Sequence, residues 1–456
     1  MKNLTPQIIA DITNGTYVGK ENERNVQITG AVRDNRDVKP RNLFVCIRGA
    51  RTDGHQFAEA AYESGASCCL AEQEIKDAKG PYIIVKSTLD AIKTIGGYYR
   101  SIFNIPVIGI TGSVGKTTAK EIIAAVLGEK FNVLKTEMNL NNELGVPLTL
   151  LSLNEQHEVA VIEMGISDFG EMSRLAEMVR PDIFVMTKIG YAHIEELGDL
   201  QGVLRAKTEA FDYMKKTGTA VLNGDDELLL SYDPGMKKKL FGLGKQNDIR
   251  AENVSSDSLN STTMEIVSKD SRFPIKLNAY GSHLAALAPA AAVIGQLLGM
   301  TDKEMEHGFS SYTPVDGRSR VTSTDGIILI DDCYNANPNS VKAALTSLTT
   351  LPGRHVVILG DMLSLGEHSI NMHKDIGEYA ARRGVDLLLC HGELSRCIYE
   401  SFISAGGCEA YHFPLMNELK NEIPRKIKKD DAILVKASRG MHFEELLPVI
   451  SELKVE

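Results

Sequence analysis

Residues 106–131 read PVIGITGSVGKTTAKEIIAAVLGEKF, an apolar β-branched run, a glycine-bearing turn, and then apolar residues spaced for one face of a helix. Strand, loop and helix in that order form the opening unit of a parallel α/β sheet, and this decides the fold class. The turn, Thr111-Gly112-Ser113-Val114-Gly115-Lys116-Thr117-Thr118, has the make-up of a phosphate loop. Gly112 and Gly115 let backbone N–H groups face a triphosphate, and the helix N-terminus adds a favourable dipole. Lys116 supplies a point charge for the β/γ-phosphates, and the Thr117 hydroxyl suits Mg2+. Ile110 stands where the GxxxxGK[ST] pattern has its first glycine. A glycine-rich turn without nucleotide is the competing reading.

Outward from this unit the same grammar repeats. VAVIEMG, DIFVMTK and TAVLNGDD follow at helix-length intervals, predicting a central parallel-sheet ATP-binding domain over 105–312. GIILIDDCYN, HVVILGDM, VDLLLCHG and AILVKASRG restart it, predicting a C-terminal doubly wound, Rossmann-like domain over 313–456. Before it all, NLFVCIRG, SCCLAEQ and PYIIVKS alternate with helical segments, predicting a small α/β domain over 1–104. Three domains also suit 456 residues, at about 150 residues each.

Composition narrows the function. With 50 Lys plus Arg against 60 Asp plus Glu the formal charge is −10, and there is no long basic run. Nonspecific nucleic-acid and lipid-surface binding are therefore excluded as expectations, since both need phosphate neutralisation. The seven cysteines include no C-x-x-C pair and read as reduced cytosolic thiols. No secretory signal is seen at MKNLTPQIIADITNG, which predicts a cytoplasmic protein. Leu284 to Met300, LAALAPAAAVIGQLLGM, is barely long enough to span a bilayer and reads as a buried helix.

Ligands of open parallel sheets sit beyond the carboxyl ends of the strands, so the polar residues closing each apolar run are the candidates. Glu163 ends VAVIEMG, where a carboxylate is costly unless it meets a cation. His193 follows the next strand, where a helix cap or packed side chain competes with ligation. Lys207, in RAKTEAFDYM, reads on its own as a solvated helix lysine.

Taken in order, TGSVGKTT, Glu163, His193, the lysine of AKTE, Gly281-Ser282-His283 and Gly317-Arg318 resemble the ATP-dependent Mur ligase superfamily. TEMNLNNELGVP, DDCYNANPNS, ILGDMLSLGEHS and VKASRGMHFEEL resemble its D-alanyl-D-alanine-adding branch. Asp34-Asn35-Arg36 with NLFVCIRGARTDGHQF is similar to the family's uridine-nucleotide segment, so the resemblance covers essentially the whole chain.

The resemblance implies an ADP-forming ligase of the cytoplasmic stage of peptidoglycan synthesis, and since three closing domains in one chain could form a complete site without a partner, a monomer is expected. It would join D-Ala-D-Ala to UDP-N-acetylmuramoyl-tripeptide through an acyl phosphate. Lys116, Glu163, His193 and Lys207 would be catalytic. Thr117, Glu163, His193 and Lys207 would hold Mg2+, with Lys207 as a carbamate. ATP would meet Gly112, Ser113, Val114, Gly115, Lys116, Thr117, Thr118, His283, Arg318, Tyr334, Asn335 and Asn337. The uridine nucleotide would meet Asp34, Asn35, Arg36, Thr136, Asn139 and Asn142, although turn and cap roles compete for each asparagine. Leu284 and Leu287 replace both asparagines of the family's GxHNxxN, and Lys188 replaces an asparagine before IG. A divergent paralogue with another acceptor, or a catalytically weak nucleotide-binding protein, is the alternative.

Overall fold

A computed structural model describes residues 1–49, 52–259, 261–324 and 326–454. Ala50 and Arg51, inside the segment read as nucleotide-binding, lie outside the described residues. Three sheets carry the chain. The first has five strands in the order Thr16–Val18, Tyr82–Ile84, Cys68–Ala71, Asn42–Val45, Gly30–Val32, all parallel except the first pair.

The central sheet has nine strands. Val107–Thr111 lies between Ile183–Met186 and Val159–Glu163, parallel to both, so the phosphate loop leaves from the middle of the sheet, between the strands ending at Met186 and Glu163. Parallel pairing continues on one side to Val133–Lys135 and on the other through Thr219–Asn223 and Lys237–Gly242 to Ile249–Ser258. The central sheet is parallel as expected through these seven strands, and Ser261–Val267 and Arg272–Leu277 extend that edge antiparallel. Burial along Arg272–Leu277 alternates strictly, as an antiparallel strand with one wet face requires.

The third sheet has six strands, five of them parallel, with Arg320–Thr324 antiparallel on its edge. The apolar stretch near residue 290 is the helix Ala288–Leu297, with Pro289 tolerated at its start and its first eight residues buried. Among the described residues no helix is long and apolar enough to cross a membrane.

The three units share cores. One apolar cluster runs from Leu4 and Leu43 in the first sheet through Tyr99 to Phe184 and Leu222 in the central one. Tyr99 anchors it, accepting from Lys2 N–H and donating to Leu153 O at 3.0 Å. Another cluster, built mainly of C-terminal residues, includes Ile194 and Tyr280 from the central unit. The Tyr280 hydroxyl lies 2.5 Å from Thr350 Oγ1 of the third unit. All seven cysteines are free, five of them buried.

Candidate active site

Neighbours on the adjoining strand ends hold the phosphate loop in shape. Ser113 N–H donates to Lys188 O at 2.8 Å, while the Ser113 hydroxyl donates to Gly190 O and accepts from Gly190 N–H, each at 2.9 Å. The Thr187 hydroxyl donates to Val114 O at 2.5 Å. Gly112 has φ 149°, and a Cβ there would come within 2.0 Å of Thr187 Oγ1, so no other residue fits. The loop then opens the helix Lys116–Gly128, with Thr118 in its first turn. Lys116, half-buried, rests its ammonium on Gly112 O at 2.7 Å.

Glu163 ends its strand beside this helix and is 1% exposed. Its Oε1 accepts from Asn141 Nδ2 at 2.7 Å and from the Thr117 hydroxyl at 3.3 Å. Its backbone N–H donates to Thr136 Oγ1 at 2.9 Å. Oε2 is buried with no hydrogen-bond partner, and an unmatched buried acceptor costs roughly 1–3 kcal/mol. That orphaned oxygen, next to the Thr117 hydroxyl, fits a cation. Among the described residues no three His, Cys, Asp or Glu side chains gather to hold a metal. The donor set therefore suits an ion that takes its other ligands from phosphate and water, as Mg2+ does.

The surrounding charge is positive. Burial lowers the Lys116 ammonium, opposed by Glu163 and assisted by Arg318. Lys207 is no solvated lysine: it is 1% exposed on the last turn of the helix Leu200–Thr208, with no hydrogen bond or ion pair among the described residues. Burial and then Lys116 push its amine well below the usual lysine range. His193 is brought down to about 4, first by burial and then by Lys116 and Lys207, so its imidazole is neutral at pH 7. It occupies the cap position of the short helix Ile194–Leu197 at φ 59°, yet makes no capping bond. Buried cations in excess of their counter-charges make an anion site.

The C-terminal unit closes over this cluster. Arg318 Nη2 donates to Thr117 Oγ1 at 3.2 Å, and its guanidinium stacks 3.9 Å above the Tyr334 ring, which Arg439 flanks at 5.5 Å. Buried Lys436 pairs with Asp332 Oδ2 at 2.6 Å and donates to Asn335 O at 2.8 Å. Asp332 and Lys436 both act on His283, whose ring burial holds neutral. Asn335 and Asn337 have local work as well: the Asn335 side chain accepts from Ala336 N–H, and Asn337 caps the helix Pro338–Leu348. Leu284 and Leu287 are buried in an apolar cluster, and a Cβ on Gly115 would lie 3.1 Å from Leu287.

The expected uridine-nucleotide residues divide. Thr136 is fully buried under Glu163, and Asn142 Oδ1 accepts from Leu144 and Gly145 N–H at 3.2 and 2.9 Å. Thr136 is thus committed inside the protein, whereas Asn142 is exposed and only its carbonyl oxygen is taken up, by nearby backbone. Asn139 is exposed as well, and Asn35 is half-exposed. Asp34 accepts from Arg36, whose guanidinium at 2.6 Å holds the Asp34 carboxyl down to about 2. Arg36 also lines a cavity of about 700 Å³ between the strand Gly30–Val32 and residues 148–154. Sequence reading missed Asn141, one position from a named residue, which holds the Glu163 carboxylate.

A phosphate loop, a buried carboxylate with a vacant oxygen, and a third domain reaching back across the cleft define an ATP-using ligase site of the Mur type. The chain belongs to the Mur ligase family. Residues 110–295 match the Mur ligase middle domain, 317–439 the Mur ligase glutamate ligase domain, and 27–99 the Mur ligase family catalytic domain. The chain is 34% identical to the UDP-N-acetylmuramoyl-tripeptide–D-alanyl-D-alanine ligase of Bacillus subtilis, over 99% of both chains. It is 32% identical to the enzyme of the same name from Escherichia coli, also over 99% of both. Among solved structures, MurF from Acinetobacter baumannii superposes with TM-score 0.88 at 28% identity, covering 98% of each chain. MurF from Thermotoga maritima in complex with ADP gives 0.82 at 28%, covering 93% of this chain and 97% of that one.

Proposed function

We propose that this chain joins D-alanyl-D-alanine to UDP-N-acetylmuramoyl-tripeptide, with ATP as the energy source and ADP and phosphate as products. The observation that carries the reading is the partnerless Oε2 of Glu163 beside Thr117 in the phosphate loop. Relatives of that name match along the full chain. The terminal carboxylate of the tripeptide attacks the γ-phosphorus, and the bond to ADP breaks. The dipeptide amine then attacks the acyl carbon, phosphate departs, and the nitrogen loses a proton.

Each step needs anions held together, and the chain's cations do that. Lys116 faces the phosphates from within the loop, and Arg318 completes the site from the third domain, which ties closure to water exclusion around the labile acyl phosphate. Glu163 and Thr117 would hold Mg2+, with neutral His193 and Lys207 for a second ion. When bound, the metal screens the γ-phosphate against the incoming carboxylate. The lowered amine of Lys207 is suited to add CO2, releasing a proton and turning a cation into an oxygen donor. Asp34, Asn35, Arg36, Asn139 and the amide nitrogen of Asn142 are the groups left for the uridine nucleotide, Thr136 being buried. The protein acts as a cytoplasmic monomer on small molecules, without nucleic acid or membrane.

Phosphate release is the test. ATP, Mg2+, the uridine-linked tripeptide and D-Ala-D-Ala together should release phosphate and give a UDP-muramoyl-pentapeptide by mass, and omission of any one should stop it. Release without the dipeptide, or none from the complete mixture, would overturn the assignment.

One observation favours a second reading. Leu287 beside Gly115 of the loop, and Leu284 near it in sequence, are aliphatic and offer no hydrogen bond to a base. A weak nucleotide-binding paralogue would bind ADP yet give no product with any peptide acceptor.

A further inference from the structure

Two residues beyond Lys207, Glu209 opens a short 3-10 segment, Glu209–Tyr213. Its carboxylate is wholly engaged by a different element. Gly170 N–H donates to Oε1 at 3.0 Å and to Oε2 at 3.1 Å, and Oε2 also accepts from Ser173 N–H at 3.1 Å and the Ser173 hydroxyl at 2.9 Å. These donors belong to the start of the helix Glu171–Val179, where backbone N–H groups lack helical partners and favour an anion. The loop entering that helix leaves directly from Glu163. Glu171, its first residue, ties the loop together by accepting from Ser167 and Asp168 N–H at 2.6 and 3.2 Å. The charge of Glu171 acts on both His193 and Lys207.

We propose that Glu209 is a positioning residue, a clasp that fixes the turn bearing Lys207 against the loop that leaves Glu163, and so sets the spacing of the two groups across the phosphoryl site. The inference rests on the ligase reading above. Among the described residues no other side-chain hydrogen bond joins this turn to that loop: the two from Gly170 hold the loop's end and the two from Ser173 the helix that follows. They act on top of the apolar core the two elements share and the Arg205 guanidinium over the Phe169 ring at 6.0 Å.

The test is Glu209→Gln, which keeps the shape but turns an amide N–H2 toward an N–H donor, with Ser173→Ala removing a single bond. Turnover should fall about tenfold to a hundredfold in Glu209→Gln, the range for residues that orient a ligand, while the KM for ATP changes little. 13C-bicarbonate should label Lys207 of the wild-type protein as a carbamate carbonyl in NMR, and the variant should need several-fold more bicarbonate for half-labelling. Ser173→Ala should move both readouts the same way by less. Variants that lose thermal stability but keep wild-type turnover and half-labelling would reduce Glu209 to a helix cap. Should Glu209→Gln not fold, Ser173→Ala decides by the same comparison. A wild-type protein that is active but unlabelled leaves the decision to turnover in the two variants. A labelled wild-type protein that releases no phosphate overturns the ligase reading instead, and half-labelling alone then judges the clasp.

Discussion

Arg318 and Thr117, 201 positions apart, meet through a 3.2 Å hydrogen bond from guanidinium to hydroxyl. The bond joins the segment entering the third sheet to the helix that starts at the phosphate loop. Because the guanidinium also sits over the Tyr334 ring, it is held in place before any phosphate arrives. Arg318→Lys keeps the charge and loses the fork and the stacking. Steady-state kinetics should show a raised KM for ATP and turnover reduced about tenfold or more, the scale of one lost charge-assisted contact. Binding of the uridine nucleotide should be unchanged, and wild-type kinetics in the variant would remove Arg318 from the site.

Lys207 is buried without a partner in a cationic neighbourhood. Lys207→Ala should lose turnover by two orders of magnitude or so, as removal of a ligand-bearing group does. Formate or acetate should restore part of it by filling the vacated anion position. A fully active alanine variant, or one indifferent to small carboxylates, would argue against a carbamate.

Asp34 titrates at about 2 because Arg36 holds its charged form. Its folded-state value is depressed, so the contact favours the folded protein above the ordinary carboxylate range and is lost as pH falls toward 2. In Arg36→Ala, which keeps the backbone N–H bond to Asp34 and loses the guanidinium, the Asp34 carboxyl should rise part of the way toward the ordinary carboxylate range, which an NMR titration of its side-chain carbon would read. If Asp34 keeps its low midpoint in the variant, backbone donation rather than the guanidinium sets it.

Leu284 and Leu287 lie in an apolar cluster with Ile122 and Val126. Leu284→Asn would bury an amide there, and the denaturant midpoint should drop by an amount equivalent to about 1–3 kcal/mol, with an unchanged m value. An undiminished midpoint would reveal a polar partner for residue 284. Tighter ADP binding in the same variant would show that the base lies against this position.

The strand–loop–helix at residue 106, the restart of the sheet grammar and the strand-end carboxylate were legible because each is a local pattern with one physical meaning. The antiparallel edge Ser261–Leu277 was not recognised, although its period-two alternation was present, because the surrounding βαβ texture set the expectation. Lys207 was unreadable by itself. A lysine on a helix looks solvated until the tertiary fold closes over it. Asn141 and Asn142 are the sharpest case: adjacent identical residues, of which one holds Glu163 and the other caps a turn. Only the three-dimensional direction of each side chain separates them.

Tyr280 gives the cleft a further property. It belongs to the central chain segment yet fills a place among the apolar side chains of the third unit, and the next residues are Gly281, Ser282 and His283. Swinging the third unit away would draw this ring out of its socket and tug on the His283 turn. If the nucleotide sits at the His283 turn as proposed, separating the third unit from the central one would disturb that seat in the same movement.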